Sequence, residues 1–130
     1  MIILTIRTDK PEAEIGLYDG EEQLAYEAWQ AHRALAETLH GKIDTLLKSQ
    51  QKKLEDIGGV VCFQGPGSFT GLRIGLSVAN ALSYSYRLPI VAAQDPQWLE
   101  NGIKRLLDGE TDDRALPYYG ADAHITPQKK

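Results

Sequence analysis

Residues 60–75 read Val60-Val61-Cys62-Phe63-Gln64-Gly65-Pro66-Gly67-Ser68-Phe69-Thr70-Gly71-Leu72-Arg73-Ile74-Gly75. The stretch opens as a short β-branched apolar run, which predicts a buried strand. It then turns through a glycine-rich loop, where Gly65 and Gly67 permit backbone angles closed to other residues. Ser68 or Thr70 can cap the following helix by accepting a bond from a free amide. That helix is expected from about Thr70 to Tyr86, and Leu88-Pro89 ends it because proline disfavours helix at the residue before it. A short strand over Pro89 to Ala93 follows. Asp95-Pro96 then looks like a helix start, with Asp as cap and Pro at the first helical position. The last helix carries Trp98, Leu99, Ile103, Leu106 and Leu107 and stops at Gly109.

Upstream of this stretch the pattern has a period of two. Ile2 to Ile6 reads as a buried strand, Glu14 to Tyr18 alternates, Asp19-Gly20 is a hairpin signal, and Gln23 to Trp29 continues as a third strand. The period becomes helical from about Arg33 to Gln50, with Leu35, Leu39, Ile43, Leu46 and Leu47 on one side. Gly41 falls inside that helix, either as a close packing contact or as a tolerated weakness. The order is β-β-β-α-β-α-β-α. It predicts an α/β fold with a mixed five-stranded sheet, of the kind found in a single lobe of ribonuclease H-like and actin-like ATPases. One domain is expected over residues 1–109, followed by an extended tail over residues 110–130, where the sequence is polar and aperiodic.

Composition narrows the function classes. The 130 residues carry a formal net charge of −4, which argues against bulk electrostatic binding of nucleic acid. The basic cluster Lys48 to Lys53 reads as a solvated helix end. The single cysteine, Cys62, lies in an apolar run and is expected in the core. His32, His40 and His124 lack metal-ligand spacing, so no metal site is expected. No apolar run reaches membrane-span length, and Met1-Ile2-Ile3-Leu4 does not read as a signal peptide; a cytoplasmic location is expected.

The glycine-rich loop fits neither common nucleotide motif. Gly71 is followed by Leu72, so the Walker lysine is absent, and the spacing from Gly67 to Gly71 breaks the dinucleotide pattern. Gly65, Gly67, Ser68 and Thr70 remain a candidate anion-binding loop. Gly71, Gly75 and Ala79 share one helical stripe of little side-chain bulk. The stripe can meet either the chain's own sheet or a partner helix, and a partner helix is expected. As a partner interface it is expected to include Ile74, Val78 and Leu82, flanked by Leu35, Leu39 and Ile43. Ser68 has no nucleophile-elbow context, and no histidine or lysine constellation accompanies Asp9, Glu12 and Glu14, which read as a solvated turn, so no catalytic residue is assigned. Asp112 and Asp113 read as solubilising. Tyr84, Tyr86, Tyr118 and Tyr119 can stack on bases or serve a protein interface.

Gly65 to Gly75 resembles the signature of the TsaB (YeaZ) family, and the resemblance covers roughly Met1 to Ala93. It implies a non-catalytic cytoplasmic subunit for making N6-threonylcarbamoyladenosine at position 37 of tRNA. Such a subunit pairs helix to helix with the catalytic paralogue TsaD, and the ATPase TsaE joins. ATP is used by the complex, tRNA is reached only through it, no cofactor is expected on this chain alone, and a homodimer is an option when the chain is isolated. The alternative is a small nucleotide- or phosphate-binding enzyme using Gly65 to Thr70. The sequence departs from the family in two respects. About half the usual length is missing, although Leu116-Pro117-Tyr118-Tyr119-Gly120 is similar to the family's C-terminal end and suggests a natural short form. Arg7 stands where members often have an acidic residue, and a guanidinium cannot ligate a metal cation.

Overall fold

The computed structural model of the chain describes residues 1–31, 34–67 and 69–117. Five strands form one sheet in the order β3-β2-β1-β4-β5. They are β1 (Ile2–Arg7), β2 (Glu12–Asp19), β3 (Glu22–Gln30), β4 (Ile57–Phe63) and β5 (Ile90–Ala93). The first three form an antiparallel meander, and β4 and β5 extend it in parallel with β1. The helices are α1 (Leu35–Ser49), α2 (Phe69–Tyr86) and α3 (Trp98–Leu107). The order and mixed sheet expected from sequence are therefore what the chain adopts. Strand ends moved by a few residues. A single 3-10 turn over Leu54–Asp56 precedes β4, where no periodic signal marks it.

The layers follow from side-chain alternation along the strands. Gly59, Val61 and Phe63 of β4 face α3: Leu106 lies over Gly59, Val61 under Gly102, and Trp98 meets Phe63 edge-on at 5.7 Å between ring centroids. α1 packs on β2 and β3, and α2 on β1, β4 and β5, over the other face. Leu4, Ile6, Val60, Val61, Cys62 and Val91 are all fully buried, so the parallel centre of the sheet is covered on both sides. Complete burial pushes the Cys62 thiol well above its ordinary pKa, in keeping with its expected core role.

The expectation of an extended tail from Glu110 needs correcting over residues 110–117; residues 118–130 lie outside the described chain. Residues 110–116 form a strap along the outer edge of β5. The Asp112 amide donates to the Ile90 carbonyl at 2.7 Å. The Ile90 amide donates to Thr111 Oγ1 at 3.0 Å and the Ala92 amide to Asp112 Oδ2 at 2.8 Å. The strap thus satisfies edge amides that would otherwise be open to another chain. Further along, Ala115 and Asn80 exchange two hydrogen bonds of 2.8 Å, and Gln64 Nε2 donates to the Leu116 carbonyl at 2.8 Å. Asp112 is accordingly no solubilising residue. Arg105 Nη2 binds its Oδ1 at 2.7 Å. These bonds are backbone-specific and long-range, and no period in the sequence announces them.

Burial by itself would raise the Asp112 pKa, but hydrogen bonds from Arg105 and the Ala92 amide outweigh it and hold the carboxyl below its usual range. A depressed folded pKa contributes stability that is present above the unfolded value and lost as pH falls through the folded one. Asp112→Ala is expected to cost about 1.5–3 kcal/mol near neutral pH, the scale of a hydrogen bond to a charged group. Urea unfolding across an acid series should show the difference between variant and parent shrinking as pH drops below about 4, near the unfolded carboxyl value. A difference that stays constant with pH would refute the assignment.

Candidate functional site

In a sheet with parallel strands, ligands commonly sit beyond the carboxyl ends of those strands. Here that region lies past Arg7, Phe63 and Ala93, and it is filled by the chain itself. Arg7 Nε donates to Asp9 Oδ1 at 2.8 Å, and Arg7 Nη2 to Asp95 Oδ2 at 3.0 Å. The guanidinium lies over the Phe63 ring with 3.9 Å to its centroid and 5.9 Å to that of Trp98. The Arg7 side chain is 12% exposed and that of Asp9 7%, whereas Asp95 is 50% exposed. Burial works to lower the Arg7 pKa, but the hydrogen bonds with Asp9 and Asp95 and their charges win, and the cation is held more firmly than usual. Arg7 therefore ties the β1–β2 turn to the β5–α3 loop. This overturns two expectations. Asp9 does not belong to a solvated turn but is nearly buried against Arg7. Asp95 is not the cap of α3, which is preceded instead by Gln97 in a left-handed conformation without a side-chain cap.

The loop residues divide. Gly65 has φ +118°, a conformation that favours glycine. Gly67 is required for a different reason from the expected one: a Cβ there would run into Asp9. The inner side of the candidate anion loop thus abuts a carboxylate. Thr70 is exposed on the first turn of α2, and Ser68 lies outside the described residues. Gln64, which no sequence motif marks, links the loop to its surroundings, accepting from Gln94 Nε2 at 3.0 Å and donating to the strap. Among the described residues no cluster of three acidic, histidine or cysteine side chains is placed to hold a metal ion.

The stripe of Gly71, Gly75 and Ala79 turns inward. A Cβ on Gly71 would collide with the Thr8 carbonyl, and one on Gly75 with the Thr8 hydroxyl. That hydroxyl donates to the Gly71 carbonyl at 2.7 Å. Ala79, Leu82, Leu35, Leu39 and Ile43 are buried in the core. The expectation that this seam meets a partner helix is therefore corrected: α2 uses it to approach the end of β1. The spacing marks a close approach but cannot say to what. Ile74 and Val78 sit differently, at the boundary of a groove between α1 and α2 that Ala36, His40, Arg73 and Ser77 also line. Gly41 faces open space, so of its two readings the tolerated weakness holds within the chain. Tyr84 is 89% exposed near the end of α2. His32, Arg33, Tyr118, Tyr119 and His124 lie outside the described residues.

The fold and this site define an α/β lobe of the ribonuclease H-like and actin-like class, with its strand-end mouth closed by an arginine. A family model described as TsaD, tRNA N6-adenosine threonylcarbamoyltransferase, matches residues 29–103. The chain belongs to this family, and within it the chain is TsaB-like. It is 29% identical over 114 residues to the tRNA threonylcarbamoyladenosine biosynthesis protein TsaB of Escherichia coli, covering 82% of this chain and 48% of that protein. It is 33% identical over 107 residues to the tRNA N6-adenosine threonylcarbamoyltransferase of Persephonella marina, covering 70% of this chain and 31% of that one. Among solved structures, YeaZ from Pseudomonas aeruginosa superposes with a TM-score of 0.67 at 24% identity, over 72% of this chain and 44% of that one. Thermus thermophilus RuvC shares the fold at a TM-score of 0.52 and 12% identity, over 95% of this chain and 89% of its own. The chain spans 31% and 48% of the lengths of the two curated relatives described above.

Two sets of variants check this geometry. Arg7→Met strands the nearly buried Asp9 carboxylate and should cost about 3 kcal/mol, the scale of breaking a buried pair. Arg7→Met with Asp9→Leu should recover part of that loss; a double variant less stable than the single one would contradict the account. Gly75→Ala should cost about 1–3 kcal/mol through overpacking against Thr8. Gly41→Ala should instead gain up to about 1 kcal/mol. A urea midpoint for Gly75→Ala at or above that of the parent would show the placement of α2 to be wrong.

Proposed function

We propose that the chain is a non-catalytic partner subunit in the synthesis of N6-threonylcarbamoyladenosine at position 37 of tRNA. Family membership supports the pathway. The non-catalytic reading rests on one observation, Arg7. A relative of an ATPase fold that works on a nucleotide needs free carboxylates and open space at the strand ends. Here Asp9 and Asp95 are both engaged by a guanidinium stacked on Phe63. The chain binds no cofactor by itself in this reading, and ATP is consumed by the complex. tRNA is reached only through that complex.

The partner is the catalytic TsaD paralogue, with TsaE joining the assembly and self-pairing as the fallback of the isolated chain. The pairing surface is the outer groove between α1 and α2, lined by Ala36, His40, Ile74, Ser77 and Val78, rather than the inward glycine seam. Its small residues let a partner helix come close, and its partly exposed aliphatic groups reward burial. The acidic balance of the chain suits a protein partner better than direct contact with RNA phosphates.

Co-expression with the catalytic paralogue followed by size-exclusion chromatography is expected to give one co-eluting peak. Ser77→Trp should abolish it while thermal melting stays within a degree or two of the parent, because Ser77 is exposed. The chain alone should hydrolyse no ATP. Turnover that survives repurification would overturn the non-catalytic reading, and separate elution of the parent would overturn the pairing.

A further inference from the structure

A second groove runs beside the first, on the other side of α2. It lies between that helix and the strap, and Arg73, Ser77, Asn80, Arg114 and Leu116 line it. Both arginines are exposed. Arg7, Lys42, Lys48, Lys104 and Arg105 are ion-paired, whereas Lys10, Lys52, Lys53 and Arg87 are unpaired among the described residues but lie away from this groove. Among the described residues neither Arg73 nor Arg114 has a carboxylate within 4.0 Å. α2 itself contains no Asp or Glu over its 18 residues. In a chain of net charge −4, two arginines therefore converge on one groove without local neutralisation.

We propose that this groove takes a carboxylate-bearing segment of the partner protein, with Arg73 and Arg114 flanking the acidic side chain. The proposal rests on the pairing reading above and extends it. Arg73 and Ser77 line both grooves, so the two form one continuous surface across α2. Beside the arginines, Leu116 is 53% exposed, which adds an apolar contact. Arginine next to exposed aliphatic surface is the composition of a protein interface. RNA would call for a denser cationic surface. Arg114 is also held ready: the bonds between Ala115 and Asn80 and from Gln64 to Leu116 fix the backbone on its C-terminal side. A fixed backbone leaves less freedom to lose when a carboxylate arrives, and the guanidinium fork matches that group in two-point contact. The family match ends at residue 103, so Arg114 belongs to the part of the chain beyond it.

The test is calorimetric titration of the full chain with the catalytic threonylcarbamoyltransferase paralogue of the same organism. Arg114→Glu and Arg73→Glu are each expected to weaken binding at least about tenfold, because each sets like charges face to face. Arg114→Lys should keep most of the affinity. All three should melt like the parent, since neither arginine supports the fold. Parent affinity should fall with added salt more steeply than that of Arg114→Glu. If the parent binds and Ser77→Trp does not, but both glutamate variants match the parent, the groove proposal fails and the pairing reading stands. If the parent does not bind at all, both fail. Arginine-dependent binding of tRNA to the chain alone would overturn the proposal in favour of an RNA surface.

Discussion

Thr8 is the fixed point of this molecule. It directly follows β1, is 1% exposed, and receives α2 so closely that a Cβ on Gly71 or Gly75 would collide with it. Its hydroxyl donates to the Gly71 carbonyl within the first turns of that helix. Two interior glycines weaken a helix by about 1 kcal/mol each. Here the loss is offset by seating α2 directly on the strand end, which buries Leu72, Leu76, Ala79 and Leu82. Everything downstream inherits that position. The loop before α2 is drawn against Asp9, β5 lies in parallel on β4, and the outer face of α2 is left to solvent.

The close approach also shapes the strand-end mouth. With α2 pulled onto Thr8 and Gly67 pressed on Asp9, the first turn cannot swing away from the sheet. Arg7 then bridges to Asp95 across Phe63, joining the β1–β2 turn to the β5–α3 loop. The exposed Asp95 arm contributes little, since solvent screens it. The buried Asp9 arm matters more, because an unpaired carboxylate there would be poorly solvated. A place that parallel sheets commonly give to ligands is here occupied by an internal ion pair.

Much of this was legible in advance. Strands of period two, helices of period 3.6 and the glycine-rich turn announced the element order, and the mixed sheet followed from it. Leu35, Leu39 and Ile43 were visible as one helical side, and their periodicity states that they bury something. It does not state whether the covering surface is the chain's own. The same ambiguity sent Gly71, Gly75 and Ala79 to a partner in the sequence reading. Residues 110–116 escaped for another reason: the strap is held by Asp112, Asn80 and Gln64 through single bonds to distant backbone, and such bonds leave no repeat.

The sequence by itself determined the fold class, the family and the core character of Cys62, because local periodicity and a specific glycine signature survive without knowledge of any contact. Only the tertiary structure decided that Arg7 sits between Asp9 and Asp95, that the small-residue seam faces Thr8, and that Arg73 and Arg114 share a groove. Those residues are separated by up to 88 positions in the chain. Pairing at that range depends on where the sheet places strand ends and helix faces, and that placement exists only once the core has closed.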